Sequence, residues 1–599
     1  MAGPPPNNIV GGRVHICIHP QCGACGQLFL PDDRIFALPF NEKVYVYDAG
    51  KFQRKRFSVT RGYKYVHCEE PEFARWFRPD QSVTIHMDCL DFCRREFGIC
   101  KRDLKDGLSK GGFNRVWLAA AWRYAWREMQ PLGLPSYGAI ADLPPHIISK
   151  ICGFQKSFPP EITTMIQSHF PSSFFWRCCS TLQLIEEMDS AKIHEVAPCS
   201  LSKVLCWSRG SVPKFVESEQ TADPYVRLIM DSRGIKSIER ISEDSANNAF
   251  RIFKYSDVFL IEHAETIKTI NVEFLLGMSR LHIPEPSEIS IWSVPMPIEN
   301  FLGLQSIQRE VHLPISPSSR RFVAINLDPR HCTGLSFFTN MRKIVYIHGH
   351  RKNGLPAFEI YRNLNAFYEG DLVWTYIPLT AEDKINAISV RRHIKIASAC
   401  TITLMMKSGQ PIIGTLPSSD QNFQPDEALY TMEKQHPLLI HNIISENPIS
   451  YIGLNTKPEI ITHDSITAEK TPLAFACFSS APLENVLNIF VFTDDSTNLC
   501  KGIMIEYSDG LKRALGQCRL GLDSVQKYHR PLKLSYATAT YKLLYKGRWK
   551  KCKSVYTSFD LENDLHLRDK KLSWKHYEMR GHLSFWFRAN DVVLRVSRD

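Results

Sequence analysis

A chain of 599 residues is several times the length of a typical domain of ~100–200 residues, and its 44% hydrophobic content can fill several cores, which excludes wholesale disorder. Its longest apolar runs, such as Val486–Phe492, fall short of the ~18 residues of a spanning helix, and Met1-Ala-Gly-Pro-Pro-Pro has neither the basic start nor the apolar stretch of a signal peptide. The net charge of +11 resides wholly in residues 501–599, where 21 Lys and Arg face 10 Asp and Glu.

These features point to an intracellular protein of the cytoplasm or nucleus, with no membrane partner. Seven of the 18 cysteines (17, 22, 25, 68, 89, 93 and 100) fall in the first hundred residues. In an intracellular chain such clustering reads as metal binding before disulfides. No asparagine opens an Asn-x-Ser/Thr sequon, in keeping with that address.

Residues 1–110 are expected to form a small zinc-stabilised module. Cys22-Gly-Ala-Cys25 is a knuckle that points two thiolates at one ion. His86-Met-Asp-Cys89, at the start of a predicted helix over 86–93, presents an imidazole and a thiolate one turn apart. Together they supply the four tetrahedral ligands of a closed structural zinc site, with no open position for catalysis. Cys17, His19, His67, Cys68, Cys93 and Cys100 could supply a second ion, or serve as small buried hydrophobes. A RING-type ligase module would need a second Cys-x-x-Cys after His86-x-x-Cys89, and none follows.

Residues 111–138 carry an Ala/Trp-rich helix, free of Pro and Gly from Phe113 to Gln130. Trp117, Ala121, Ala125 and Met129 share one face, as an element of core would.

Residues 139–214 hold two helix-start signals, Asp142-Leu-Pro-Pro-His-Ile-Ile148 and Phe158-Pro-Pro-Glu-Ile162. The second resembles the start of an F-box, which opens Leu-Pro-x-Glu-Ile with apolar residues at following helical turns. Pro159, Glu161, Ile162, Ile166 and Phe170 fit that pattern. Phe158 stands in place of the usual Leu, and no closing Val-Cys-x-x-Trp follows. A competing frame, Leu143-Pro-Pro-His-Ile147 with Ile151, keeps the Leu but has His146 in place of Glu. The resemblance implies a ubiquitin-ligase adaptor as partner, docked on Pro159, Ile162, Ile166, Phe170 and Phe174. The alternative is a helical hairpin packed on the chain's own core.

From residue 222 to 599, runs of Val, Ile, Phe and Tyr alternate with Gly, Pro, Asn and Asp turns, predicting a large, mainly antiparallel β-rich region of one or more binding domains. Asp509-Gly510 signals a two-residue hairpin turn. The stretch Tyr507-Ser-Asp-Gly-Leu-Lys-Arg-Ala-Leu-Gly-Gln-Cys-Arg519, with the Cys/His-rich start and the Pro-Pro-Glu-Ile segment, resembles a group of uncharacterised filamentous-fungal proteins. Thr333–Asn340 and Lys343–His350 resemble strand pairs of jacalin-type lectin prisms, which implies glycan binding. His348 and His350 alternate onto one strand face, suiting either a metal or surface polarity. Trp549, within Lys546-Gly-Arg-Trp-Lys-Lys-Cys-Lys553, could stack a base among phosphate-binding lysines, or cover a sheet edge.

No Gly-x-Ser-x-Gly elbow, P-loop, dinucleotide fingerprint, His-Glu-x-x-His or kinase set is present. The expectation is a multidomain α+β, non-enzymatic scaffold with one structural zinc. It would bind protein partners and act as an F-box-like substrate receptor of a cullin–RING ubiquitin ligase. The alternatives are a nucleic-acid-associated zinc protein using the basic C-terminus, or a glycan-binding β domain.

Overall fold

The computed structural model describes mainly residues 22–51, 82–96, 112–122, 145–153, 174–190, 196–242, 257–295, 321–393, 399–462 and 472–597, with short gaps in several of these, and isolated positions elsewhere. The described residues are mostly β-strand, with few helices, and their strands pair predominantly antiparallel. No helix among them is long and apolar enough to cross a membrane. The chain divides into two compact units, one of residues 1–298 and 316–320, the other of residues 299–315 and 321–599.

In the first unit, β1 (Arg34–Asn41) pairs with both β2 (Tyr47–Lys51) and β3 (Ser82–His86) and lies between them. Helix α1 (Met87–Glu96) follows β3 directly. Its first turn carries Asp88 and its last Arg94 and Arg95, each sign complementing the helix dipole. Helix α2 (Gly112–Trp122) forms on the Leu118-Ala-Ala-Ala121 run, where helix propensity is highest. Helix α3 (Pro145–Cys152) starts on a proline, whose missing N–H costs nothing at the first helical position. Helix α4 (Phe174–Ser190) is the longest among the described residues. One core joins Ile35, Leu38, Val83, Ile85, Leu90, Val116, Ala120, Leu184 and Ile185 around the two cysteine motifs. A smaller one packs Ile147 and Ile148 of α3 against Trp176, Cys179 and Leu182 of α4.

The rest of this unit is β. Strands Val204–Ser208, Gly234–Ile241, Tyr225–Asp231 and Val258–His263 lie side by side in that order. A second sheet, ordered Met278–His282, Asn271–Leu275, Val196–Ser200, closes with them over Trp207, Leu228, Leu260, Val272 and Phe274. Beneath this core Arg209 makes a two-pronged ion pair with Asp231 (3.0 and 2.7 Å) and donates to the Gly234 and Ile235 carbonyls.

In the second unit, a five-stranded sheet, a three-stranded sheet and the paired strands Leu438–Asn442 and Tyr451–Leu454 share a core of Phe337, Ile347, Ile388, Leu404, Tyr430 and Leu454. Three further sheets close on Ile489, Ile503, Leu515, Leu534, Val555 and Phe585. The Asp509-Gly510 signal does make a hairpin, but its loop holds three residues: the Tyr507 N–H donates to the Leu511 carbonyl, and Gly510 takes φ 84°. A left-handed residue closing a three-residue loop needs glycine for the same reason as a two-residue turn, so the signal locates the hairpin but not its length.

Candidate metal centre

The knuckle is folded by its own backbone. The Gly26 N–H donates to the Cys22 carbonyl, the Cys22 N–H to Gln27, and the Gly23 N–H to Thr84 on β3, each at 2.8 Å. Gly26 takes φ 77°, the left-handed turn that lets Cys25 swing back beside Cys22. A Cβ on Gly23 would lie 2.5 Å from the Cβ of Ala120, so α2 packs directly on the knuckle. His86 ends β3, in register with Ile35 of β1, and Cys89 sits in the first turn of α1. The strand-to-helix switch therefore carries the second half-site onto the first.

Cys22, Cys25, His86 and Cys89 are all buried, and their four donor atoms lie within 4.8 Å of one another. Nδ1 of His86 is 3.5 Å from Sγ of Cys25 and 3.9 Å from Sγ of Cys89. Tetrahedral ligands at ~2.3 Å (sulfur) and ~2.0 Å (nitrogen) from one ion stand roughly 3.5–3.8 Å apart, so this spacing fits a single ion. Nε2 of His86 faces away, 3.2 Å from Oδ2 of Asp33. Asp33 is fixed by the Leu30 N–H (2.7 Å) and by Nη2 of Arg177 on α4 (3.3 Å to each oxygen). The ring of Phe29 stands edge-on to His86 at 4.5 Å.

The electrostatics suit a cation. Burial pushes the Cys22 thiol up, but hydrogen bonds from Cys25 and Cys89 and the charge of His86 outweigh it and hold the group well below its ordinary value. Burial likewise opposes protonation of His86, yet the Cys22 thiolate and Asp33 raise it to about 12. Asp33 is held below the usual carboxylate range: burial works against this, while the His86 bond, the Leu30 N–H and Arg177 prevail.

Among the described residues this is the one cluster of three or more Cys, His, Asp or Glu with metal-binding spacing. Cys93 is buried in the same core, where burial raises its thiol, and is not among the four. Cys17, His19, His67, Cys68 and Cys100 lie outside the described residues. The sequence shows the four ligands but misses Asp33 and Arg177. Asp33 follows Leu30-Pro-Asp, a stretch with no metal-site signal of its own, and Arg177 lies 144 residues away with no local signal.

The other singled-out residues are dispersed. Of the F-box-like positions, Ile162 is 40% exposed, Phe174 is 52% exposed and Pro159 is exposed; Ile166 and Phe170 lie outside the described residues. In the competing frame Ile147 is wholly buried. His348 and His350 do share a strand face, with rings 5.0 Å apart, but the face is an inward one. Nε2 of His350 meets Oγ of Ser336 at 2.7 Å, and that oxygen accepts from Nε1–H of the buried Trp374. Burial lowers His350 to about 4, and this histidine belongs to an internal polar network, with the buried His348 ring against it. Trp549 is 70% exposed.

No protein-family model matches the chain, and no curated protein matches it significantly in sequence.

Proposed function

We propose that this chain is a zinc-stapled, non-enzymatic binding protein: a zinc-stabilised N-terminal module and a helical segment set before a large β-rich binding region, acting in the cytoplasm or nucleus. The observation that carries this reading is the closed donor set. Three sulfurs and one imidazole complete four-coordination, which is a structural and not a catalytic arrangement, and soft thiolates with an imidazole favour zinc over hard cations. When bound, the ion would be held by Cys22, Cys25, His86 and Cys89 and would supply stability, tying the knuckle to the β3–α1 junction. Asp33 orients His86 by accepting its Nε2–H, and Arg177 orients Asp33. Metal analysis of the purified full chain tests this: one zinc per chain is expected, lost in a Cys25→Ser/Cys89→Ser double variant. Well under one zinc in the parent protein overturns it.

A second reading concerns partners. The exposure of Ile162 and Phe174, together with that of Met165 (59%), favours an outward-facing apolar segment over a hairpin buried in its own core. It supports the F-box-like role, in which this segment recruits a ubiquitin-ligase adaptor and the β-rich region presents substrate. Co-purification with the adaptor, lost in an Ile162→Asp/Ile166→Asp variant that stays folded, is the expected result. No recovery with the parent protein would set this role aside without touching the metal centre.

A further inference from the structure

The longest hairpin of the second unit pairs strand Lys533–Tyr545 with strand Arg548–Ser558. Its register sets Lys542 opposite Lys551 and Thr540 opposite Lys553. Directly opposed residues, and those two apart along a strand, share a face. Trp549, Lys551 and Lys553 therefore stand in a row on one strand, beside Lys542 and Thr540 on the other. All five are exposed, and the indole is 70% exposed. The opposite face is interior: the Tyr541 hydroxyl donates to the Asn590 carbonyl, and Cys552 is wholly buried.

Two features of this face are unfavourable in the protein alone. Lysines directly opposed across a ladder repel, and among the described residues no carboxylate pairs with Lys542, Lys551 or Lys553. Asp591, the carboxylate bonded to this strand, is buried and holds the backbone N–H of Lys553. Arg548–Ser558 is also the outer strand of its sheet. Edge lysines discourage pairing with other chains, but an exposed tryptophan among them has the reverse effect. A polyanion that carries flat rings relieves both problems, because its charges separate the lysines and a ring covers the indole.

We propose that this face binds single-stranded nucleic acid, with a base stacked on Trp549 and the flanking phosphates against Lys542, Lys551 and Lys553. The surplus of 21 basic over 10 acidic residues in 501–599 supplies the complementary field. A duplex hides the base faces that an indole needs, and the charged side chains of an acidic peptide carry no ring, whereas every nucleotide joins a ring to a phosphate. The site is independent of the metal centre.

The test is fluorescence anisotropy of short labelled oligonucleotides of mixed sequence with the full-length protein. Single strands bind with a log–log salt slope of about −2, as three phosphate contacts require, and quench the tryptophan emission. Trp549→Ala weakens binding about tenfold or more, the scale of one lost base stack, while Trp549→Phe keeps most of it. Lys551→Glu/Lys553→Glu weakens binding more than tenfold at low salt and flattens the slope of what remains. Unchanged melting temperatures show that these exposed substitutions leave the fold intact. The proposal is overturned by absence of binding at low salt, by equal affinity of Trp549→Ala, or by stronger capture of polyglutamate or of phosphatidylserine vesicles than of single strands.

Discussion

Oδ2 of Asp33 stands 3.2 Å from Nε2 of His86, while Nδ1 of the same ring faces the sulfurs of Cys25 and Cys89. One imidazole thus links a buried thiolate cluster to a carboxylate, and its tautomer is set from behind. Asp33→Ala should weaken metal retention by about 10–100-fold, the usual effect of removing a ligand's orienting partner. Competition with a chromophoric chelator measures it. Unchanged retention would mean that Asp33 serves only to hold Arg177.

Gly23 carries the tightest packing around the knuckle, since its missing Cβ is where Ala120 sits. Gly23→Ala must push α2 away or open the knuckle. A loss of about 1–3 kcal/mol from the first unit is expected, as for other overpacked sites. Denaturant melts of the metal-loaded chain would show it, and an Ala120→Gly second substitution should restore much of the loss.

The Arg209–Asp231 pair makes the first unit acid-sensitive in a defined window. Burial works against ionisation of Asp231, but the charge and hydrogen bonds of Arg209 overcome it and lower the carboxyl to about 2. The unfolded carboxyl takes up its proton near pH 4. Between these values the unfolded chain binds more protons than the folded one. The pair's stabilisation, about 2–3 kcal/mol, is therefore complete above pH 4 and lost as the pH falls toward 2. Asp231→Asn should flatten that part of the stability profile. At neutral pH it should cost about 3–5 kcal/mol, because it strands a buried guanidinium.

Two isoleucines one turn after Pro-Pro dipeptides should behave oppositely. Ile147 is fully buried against the Trp176 core, so Ile147→Ala is expected to cost about 2–5 kcal/mol. Ile162 is exposed, so Ile162→Asp should change stability by no more than about 0.5 kcal/mol. Paired thermal melts decide the matter. A large loss in Ile162→Asp would show that this side chain is buried in the working protein.

The sequence by itself determined what local chemistry dictates. Thiolates at Cys22 and Cys25 with His86 and Cys89 declare a donor set, because few other uses need those residue types at that spacing. Alternating Val, Ile and Phe between turn residues declares strands, because the side-chain period of a pleated chain is two. Pro145 marks a helix start through its fixed φ. Only the tertiary structure decided which distant groups meet. The gap of about sixty residues between the cysteine half-sites closes through the β1–β3 register, and Asp33 and Arg177 come together from a turn and a helix that share no pattern. Nor could periodicity say which way a face points. Ile147 and Ile162 follow similar Pro-Pro starts, yet one is buried and the other exposed. His348 and His350 alternate as surface residues would, yet face inward. Period fixes which residues share a face, whereas burial depends on what the rest of the chain lays against it.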